Sequence, residues 1–251
     1  MMRYTLFIAD LHLTESRPDI TACFYSFLEE HVTSNCDALY ILGDFFEVWI
    51  GDDEQSALQQ TIANKLNYIS SNICPVFFIH GNRDFLLGKK YATQCGMTLL
   101  PEEQLINLYG EQALIMHGDQ LCTQDIKYQK FRKQSRSKWW QCIMLNLPLF
   151  LRKRIARNAR MKSKESQQGV DLNLLDVVQH DVEVVMDKYD VNLLIHGHTH
   201  RPATHNFTAY KNSKTRIVLG DWYTQGSYLV VSEQEKHLVY KPFNRPDTYP
   251  N

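Results

Sequence analysis

Five short segments of this chain carry carboxylate, amide or imidazole side chains in close succession: Asp10-Leu11-His12, Gly43-Asp44, Gly81-Asn82-Arg83-Asp84, His117-Gly118-Asp119 and Gly197-His198-Thr199-His200. Oxygen and imidazole donors without thiolate suit manganese, iron or zinc. Asp10 and His12, two residues apart, can turn toward one ion, and the neutral amide oxygen of Asn82 can complete a second with His117. Two cations held close together need a shared anionic ligand to offset their repulsion, and Asp44 is the candidate bridge. His198 and His200, alternating at a glycine turn, crowd two imidazoles together. Taken singly each segment is weak, since a lone Asp-x-His or an isolated His117 is common without any ligand role. Their strength lies in their order and shared setting.

That setting is the end of an apolar run. Residues 6–9, 38–42, 76–79, 113–116 and 193–195 are hydrophobic stretches of buried-strand type, and each stops at one of the five segments. In open α/β sheets, sites form outside the carboxyl ends of strands. The glycine before Asp44 lets the backbone turn sharply there. Helical spacing predicts helices from Ile20 to Val32 and from Ser56 to Ser71, so strand and helix alternate as in a parallel sheet. The aromatics of Phe45 to Trp49 read as core, followed by an acidic Asp52-Asp53 loop beside the expected site. A hairpin is expected through Tyr109-Gly110, a helix from Leu172 to Tyr189, and antiparallel strands over Ala203 to Ala209, Arg216 to Leu219, Ser227 to Ser232 and His237 to Lys241. The expected architecture is two packed sheets flanked by helices.

With 44% hydrophobic and 22% charged residues in 251, the composition is that of a soluble globular protein. No stretch reaches the roughly 18–20 apolar residues of a membrane span, and the N-terminus has no secretory pattern, which predicts a cytoplasmic chain. The six scattered cysteines form no Cys-x-x-Cys pair and are expected to be reduced. The net charge of −1 hides an asymmetry: residues 120–170 hold 13 Lys/Arg against 2 acids, leaving the remainder strongly acidic. Strand patterning stops over that segment, so a basic helical insertion is expected. It also carries Trp139, Trp140, Ile143, Met144, Leu145, Leu147, Leu149, Phe150 and Leu151. Such a stretch either buries its own face as a helical hairpin, or dips into a membrane or lines an acyl pocket. Lys153, Arg157, Arg160 and Lys164 recur at helical spacing as one cationic stripe, suited to a solvated face or to an anionic lipid or nucleotide.

The five segments together resemble the signature of the calcineurin-like metallophosphoesterases: Asp-x-His, Gly-Asp, Gly-Asn-x-Asp or Glu, His-Gly and Gly-His-x-His. The resemblance implies an α/β four-layer αββα sandwich carrying two metals. Asp10, His12, Asp44 and His200 would hold the first ion, and Asp44, Asn82, His117 and His198 the second. Two such ions would activate water for in-line attack on phosphorus without a protein nucleophile. Many members have histidine after the asparagine; here Arg83, always charged, is a poor proton donor and a good phosphate clamp, pointing to a phosphate leaving group.

The longer segments Phe7 to Leu13, Leu39 to Asp44, Phe78 to Gly88 and Leu194 to Pro202 closely resemble the UDP-2,3-diacylglucosamine pyrophosphohydrolases of bacterial lipid A synthesis, with a likeness from about Tyr4 to Phe243. That resemblance implies a metallophosphoesterase domain over residues 1–119 and 171–251 with a lid over 120–170. It also implies manganese as cofactor, an acylated nucleotide-sugar lipid as substrate, and peripheral association with the cytoplasmic face of the inner membrane. Neither nucleic acid nor an obligate protein partner is expected. Asp44, Arg83 and His198 would be catalytic. Asn82 and Arg83 would touch the phosphate, Asp125, Tyr128 and Phe131 the sugar and acyl wall, and Arg160, Ser163 and Gln167 the lid side; His198 would contact substrate as well as metal. The pattern departs at Gln167, often asparagine in the family, and at Gly169-Val170. The region after Thr208 matches loosely and is assigned no chemistry. A phosphodiesterase or nuclease on the same fold, holding a nucleic-acid backbone with the basic helices, is the alternative.

Overall fold

A computed structural model describes residues 2–167 and 176–242, with the side chains of 162–167 and 242 outside that description. The first sheet is built from β1 (Tyr4–Ile8), β2 (Cys36–Ile41), β3 (Val76–Phe78), β4 (Met97–Leu99), β10 (Gln225–Ser232) and β11 (Lys236–Pro242). Their order is β11-β10-β1-β2-β3-β4, parallel from β1 to β4 and antiparallel at the β10 side. The second contains β5 (Glu103–Leu108), β6 (Glu111–Met116), β7 (Leu193–His196), β8 (Ala203–Ala209) and β9 (Asn212–Val218), ordered β5-β6-β7-β9-β8.

Side chains alternate across a strand, and the sequence uses both faces. Leu6 and Ile8 point into one apolar layer with Phe24, Phe27, Ile62 and Leu66, on helices α1 (Pro18–His31) and α2 (Ala57–Asn72). Phe7, Leu42 and Ile79 point the other way, into a layer with Ile115, Ile195 and Ile217 of the second sheet. Leu114, Met116 and Leu194 face outward again, onto Val182, Val185 and Met186. These last three lie on α7 (Gln179–Lys188). The result is the four-layer αββα sandwich expected from the sequence. Replacing a residue such as Leu6 by alanine would cost about 2–5 kcal/mol through the cavity left behind.

Local rules set the element ends. Ser56 accepts from the Gln59 amide while the Gln59 side chain accepts from the Ser56 amide, a capping box that starts α2 one residue later than expected. Tyr109 (φ +54°) and Gly110 (φ +97°) make the hairpin turn between β5 and β6. Other boundaries differ from expectation. Helix α3 (Lys89–Cys95) and strand β4 were not anticipated; both are shorter than the window over which periodicity can be read. Asp52, expected beside the site, instead accepts from the Gly88 and Tyr91 amides at the start of α3. Among the described residues the helix expected from Leu172 begins at Gln179, since 168–175 lie outside the description. Strand β9 begins four residues before Arg216, and pairs in parallel with β7 as well as antiparallel with β8.

Between β6 and α7 the chain forms α4 (Ile126–Ser135), α5 (Lys138–Asn146) and α6 (Leu149–Gln167), after a short 3-10 turn at Asp119–Leu121. Polar ties join them to the loops of the sheets, alongside Trp140, which packs against the first apolar layer. Arg152, only 2% exposed, donates to the Ile50 carbonyl (2.7 Å) and pairs with Asp53. The expected cationic stripe is partly spent in the same way: Lys153 pairs with Glu54 and Arg160 with Glu47. No helix among the described residues is long and apolar enough to cross a membrane. Replacing Arg152 with alanine should raise the rate of proteolysis within 126–167 by about tenfold while moving the thermal midpoint of the sheets by only a few degrees. Unchanged proteolysis would show that this guanidinium does not hold the helices down.

Candidate metal centre

The carboxylate of Asp44, 2% exposed, faces two histidine pairs at once. Its Oδ2 lies 3.9 Å from His12 Nε2 and its Oδ1 3.7 Å from His117 Nε2. On the first side, His12 Nε2 and His200 Nε2 are 3.2 Å apart, and His200 Nε2 is 3.5 Å from Asp10 Oδ1. Donor atoms of Asp10, His12 and His200 all lie within 4.8 Å of one another, as do those of Asp10, Asp44 and His117. On the second side, Asn82 Oδ1 sits 3.0 Å from His117 Nε2 and 2.9 Å from His198 Nδ1. All seven donors singled out in the sequence therefore converge.

The backbone that brings them together is unusual. Asp10, His12, Asp44, His198 and His200 all have φ between +50° and +71°. Left-handed conformations cost a non-glycine residue roughly 1–2 kcal/mol each and persist only where surrounding structure over-determines them. Here it does. The amides of Asp10 and His12 donate to the carbonyls of Gly43 and Asp44, the His198 amide donates to Asp10 Oδ2 (2.8 Å), and the Gly197 amide to the His117 carbonyl. A Cβ at Gly197 would stand 2.4 Å from Asp10 Oδ2, so glycine is required for that approach. Asp84, fully buried, accepts from the amides of Gly81 and Phe45 and clips the Asn82 loop to the Asp44 loop.

Orientation is set by outer partners. His117 Nδ1 donates to the Leu42 carbonyl (2.8 Å), leaving Nε2 to face Asp44 and Asn82. His200 Nδ1 lies 3.4 Å from Asp221, and Tyr223 stacks on the His12 ring. The stretch after Thr208 was given no chemistry, yet Asp221 and Tyr223 close one wall of the cluster. Short runs between strands carry no periodic signal, which is why they escaped. Asp119 and Glu47 were likewise unassigned; Asp119 accepts from Tyr128 (2.6 Å) and Arg132, and Glu47 lies 3.9 Å from His12 Nδ1. His80, which precedes Gly81, turns away to the Leu87 carbonyl.

The electrostatics call for a cation. Burial, reinforced by Asp84 and Asp10 against the opposing pull of His117, holds the Asp44 carboxyl well above the usual carboxylate range. Asp10 Oδ1 is buried without a hydrogen-bond partner and faces the first group. Burial lowers His12 and His198 to about 3, so both keep a free lone pair at neutral pH. Burial also opposes the charging of His200, but the adjacent carboxylates of Asp10 and Asp221 outweigh it and raise the group to about 10. A buried set of acids, amide and lone-pair imidazoles, with one acid oxygen unsatisfied, fits divalent metal.

The other sequence candidates divide. Arg83 borders the cluster, its amide donating to Asp44 Oδ1 and its Nε buried without a partner. The Tyr128 ring stacks on His198 with centroids 6.0 Å apart. Arg160 reaches Glu47, the acid beside His12. Asp125 caps α4 by accepting from the Tyr128 amide, and Phe131 is 42% exposed; among the described residues neither meets the cluster through a hydrogen bond, ion pair or ring contact. Ser163 and Gln167 fall on α6 with side chains outside the described residues.

A family model for calcineurin-like phosphoesterases matches residues 4–202. The chain is 51% identical over 239 residues to the UDP-2,3-diacylglucosamine hydrolase of Escherichia coli O7:K1, covering 95% of this chain and 99% of the relative. It matches the protein of the same name from Shigella sonnei to the same extent. Among solved structures, an archaeal phosphodiesterase aligns with 95% of this chain and 99% of its own at 11% identity, with a TM-score of 0.48.

Because His200 holds a proton at neutral pH in the metal-free protein and Asp44 is reluctant to lose one, metal binding must expel protons. Calorimetry of metal binding near pH 7 in buffers of different ionisation enthalpy should therefore show release of about one proton or more per chain, with affinity tightening as pH rises. Proton-neutral binding would contradict the assigned donors.

Proposed function

The chain belongs to the calcineurin-like phosphoesterase family, and from that membership we propose that it hydrolyses the pyrophosphate of UDP-2,3-diacylglucosamine to 2,3-diacylglucosamine 1-phosphate and UMP. The observation that carries this reading is the full-length likeness to UDP-2,3-diacylglucosamine hydrolases, which includes the helices between β6 and α7 as well as the donor cluster.

We assign Asp10, His12, Asp44 and His200 to one divalent ion and Asp44, Asn82, His117 and His198 to a second; the donor set suits manganese, iron or zinc, and the likeness to the pyrophosphohydrolases favours manganese. When bound, the pair supplies an activated water and neutralises charge on the phosphoryl group. The chain's own residues do the rest. Arg83 has no ion-pair partner among the described residues, so its guanidinium is available to phosphoryl oxygens. Since arginine does not give up its proton, it stabilises charge and leaves the departing phosphate to leave as an anion. His198 lies under the Tyr128 ring and against Asn82, which fixes its imidazole at the edge of the space the phosphate must enter.

Residues 120–170 are assigned as a lid that takes the acylated sugar, with Asp125, Tyr128, Phe131, Arg160, Ser163 and Gln167 on its substrate side. Trp139 (60% exposed), Ile143 and Phe150 (69%) present apolar surface amid lysines and arginines, which supports peripheral attachment to the cytoplasmic face of an anionic inner membrane.

Manganese-loaded protein given UDP-2,3-diacylglucosamine should release UMP; absence of UMP together with rapid cleavage of DNA would move the assignment to a nuclease. Asp44→Ala should reduce turnover by about 10³-fold or more with the fold retained, because the shared ligand is lost. Arg83→Ala should lower kcat by about 10²–10³-fold with metal content unchanged. Metal lost in parallel with activity in that variant would make Arg83 a prop for the cluster.

A further inference from the structure

A second pocket, of about 170 Å³, opens on the outer face of the second sheet, where the loop after β7 meets β8 and β9. Its walls include Thr199, Arg201, His205 and Arg216, with Asp176 and Val218. None of these residues belongs to the donor cluster, but Thr199 sits between His198 and His200, so the turn that presents two of the donors also forms one wall here.

Arg216 is the reason to look for a ligand. It is only 7% exposed, its Nε has no hydrogen-bond partner, and one terminal nitrogen donates to His196 Nε2 (3.3 Å), a neutral acceptor whose Nδ1 donates to the Gly197 carbonyl. No carboxylate among the described residues forms an ion pair with it. Asp176, the acid of the pocket, is engaged at 2.7 Å with Arg201 and acts on Arg216 only through space, without a contact pair. Burying a guanidinium without an acid is costly unless something anionic completes it. His205 stands directly across from Arg216 in the β8–β9 register and adds an imidazole donor, and Thr199 adds a hydroxyl. Planar guanidinium, imidazole and hydroxyl donors around one space suit a tetrahedral oxyanion, and the volume exceeds what a bare carboxylate fills.

We infer that this pocket is a phosphate-binding subsite and, resting on the reaction proposed above, that it receives the phosphate of the nucleoside monophosphate product. Inorganic phosphate shares that chemistry, and the test separates the two.

Metal-loaded protein is titrated with UMP, inorganic phosphate and uridine, with binding stoichiometry read by calorimetry and phosphorus NMR. The parent should bind two equivalents of UMP, one at the donor cluster and one in the pocket. Arg216→Met and His205→Ala should each lose one equivalent, or weaken it by about tenfold or more, with metal content unchanged. His205 is exposed, so its replacement keeps the test valid if Arg216→Met fails to fold. UMP binding the pocket at least about tenfold more tightly than inorganic phosphate identifies the nucleotide; equal binding, lost in the same variants, identifies a bare phosphate site and overturns the nucleotide assignment. A single UMP equivalent in the parent, two equivalents retained in both variants, or uridine binding as tightly as UMP overturns the subsite altogether. Hydrolysis of UDP-2,3-diacylglucosamine is followed alongside. Pocket binding in a protein that does not turn over this substrate leaves the phosphate site standing and removes the reaction reading, whereas turnover with no pocket binding does the reverse.

Discussion

One carboxylate governs this structure. Asp44 is buried between two histidine pairs, with Asp10 and Asp84 close enough to oppose its ionisation. Negative charge concentrated in a low-dielectric interior is tolerable only with positive charge beside it. The side chains around it are arranged so that this charge can come from outside the chain: His12 and His198 are held neutral by burial, and their lone pairs remain available. The fold thus builds a deficit that a pair of divalent cations is suited to fill.

The rest of the architecture keeps that deficit from collapsing. Strand alternation commits most central side chains to apolar layers, and the loops at the carboxyl ends carry the donor groups. The loops themselves are held in left-handed turns by reciprocal hydrogen bonds among Asp10, Gly43, Asp44, His117 and Gly197. A sheet interior that tolerates little deformation is what allows these strained turns to persist. Asp84 fastens two of the loops at their bases, so the half-buried Asn82 amide and the buried Asp44 carboxylate hold a fixed separation.

Much of this was legible in the sequence because two simple codes run through it. Apolar runs of strand length ended on donor residues, and glycine stood where the backbone had to turn or come close, as at Gly43 and Gly197. The seven donors follow from those two facts and their order. What escaped was whatever depends on approach between distant segments. Asp221 reaches His200, and Tyr223 covers His12, from a loop with no periodicity of its own. The cationic stripe on α6 was visible, but not that Lys153 and Arg160 would meet Glu54 and Glu47. Short elements such as α3 and β4 were invisible because they are shorter than a readable period, and the start of α3 is set by Asp52, far away in the chain.

Two acids serve both the donor cluster and the helices over it. Asp119 lowers the cost of charging His117 while accepting from Tyr128 and Arg132 on α4, and Glu47 lies beside His12 while pairing with Arg160 on α6. Each has a single negative charge to divide between its two clients. Whatever adds positive charge beneath draws on the same oxygens that restrain the covering helices, so occupancy below and tethering above are thermodynamically linked at two separate points. The charge that a filled cluster would draw on and the charge that restrains the helices above it thus reside in the same two carboxylates.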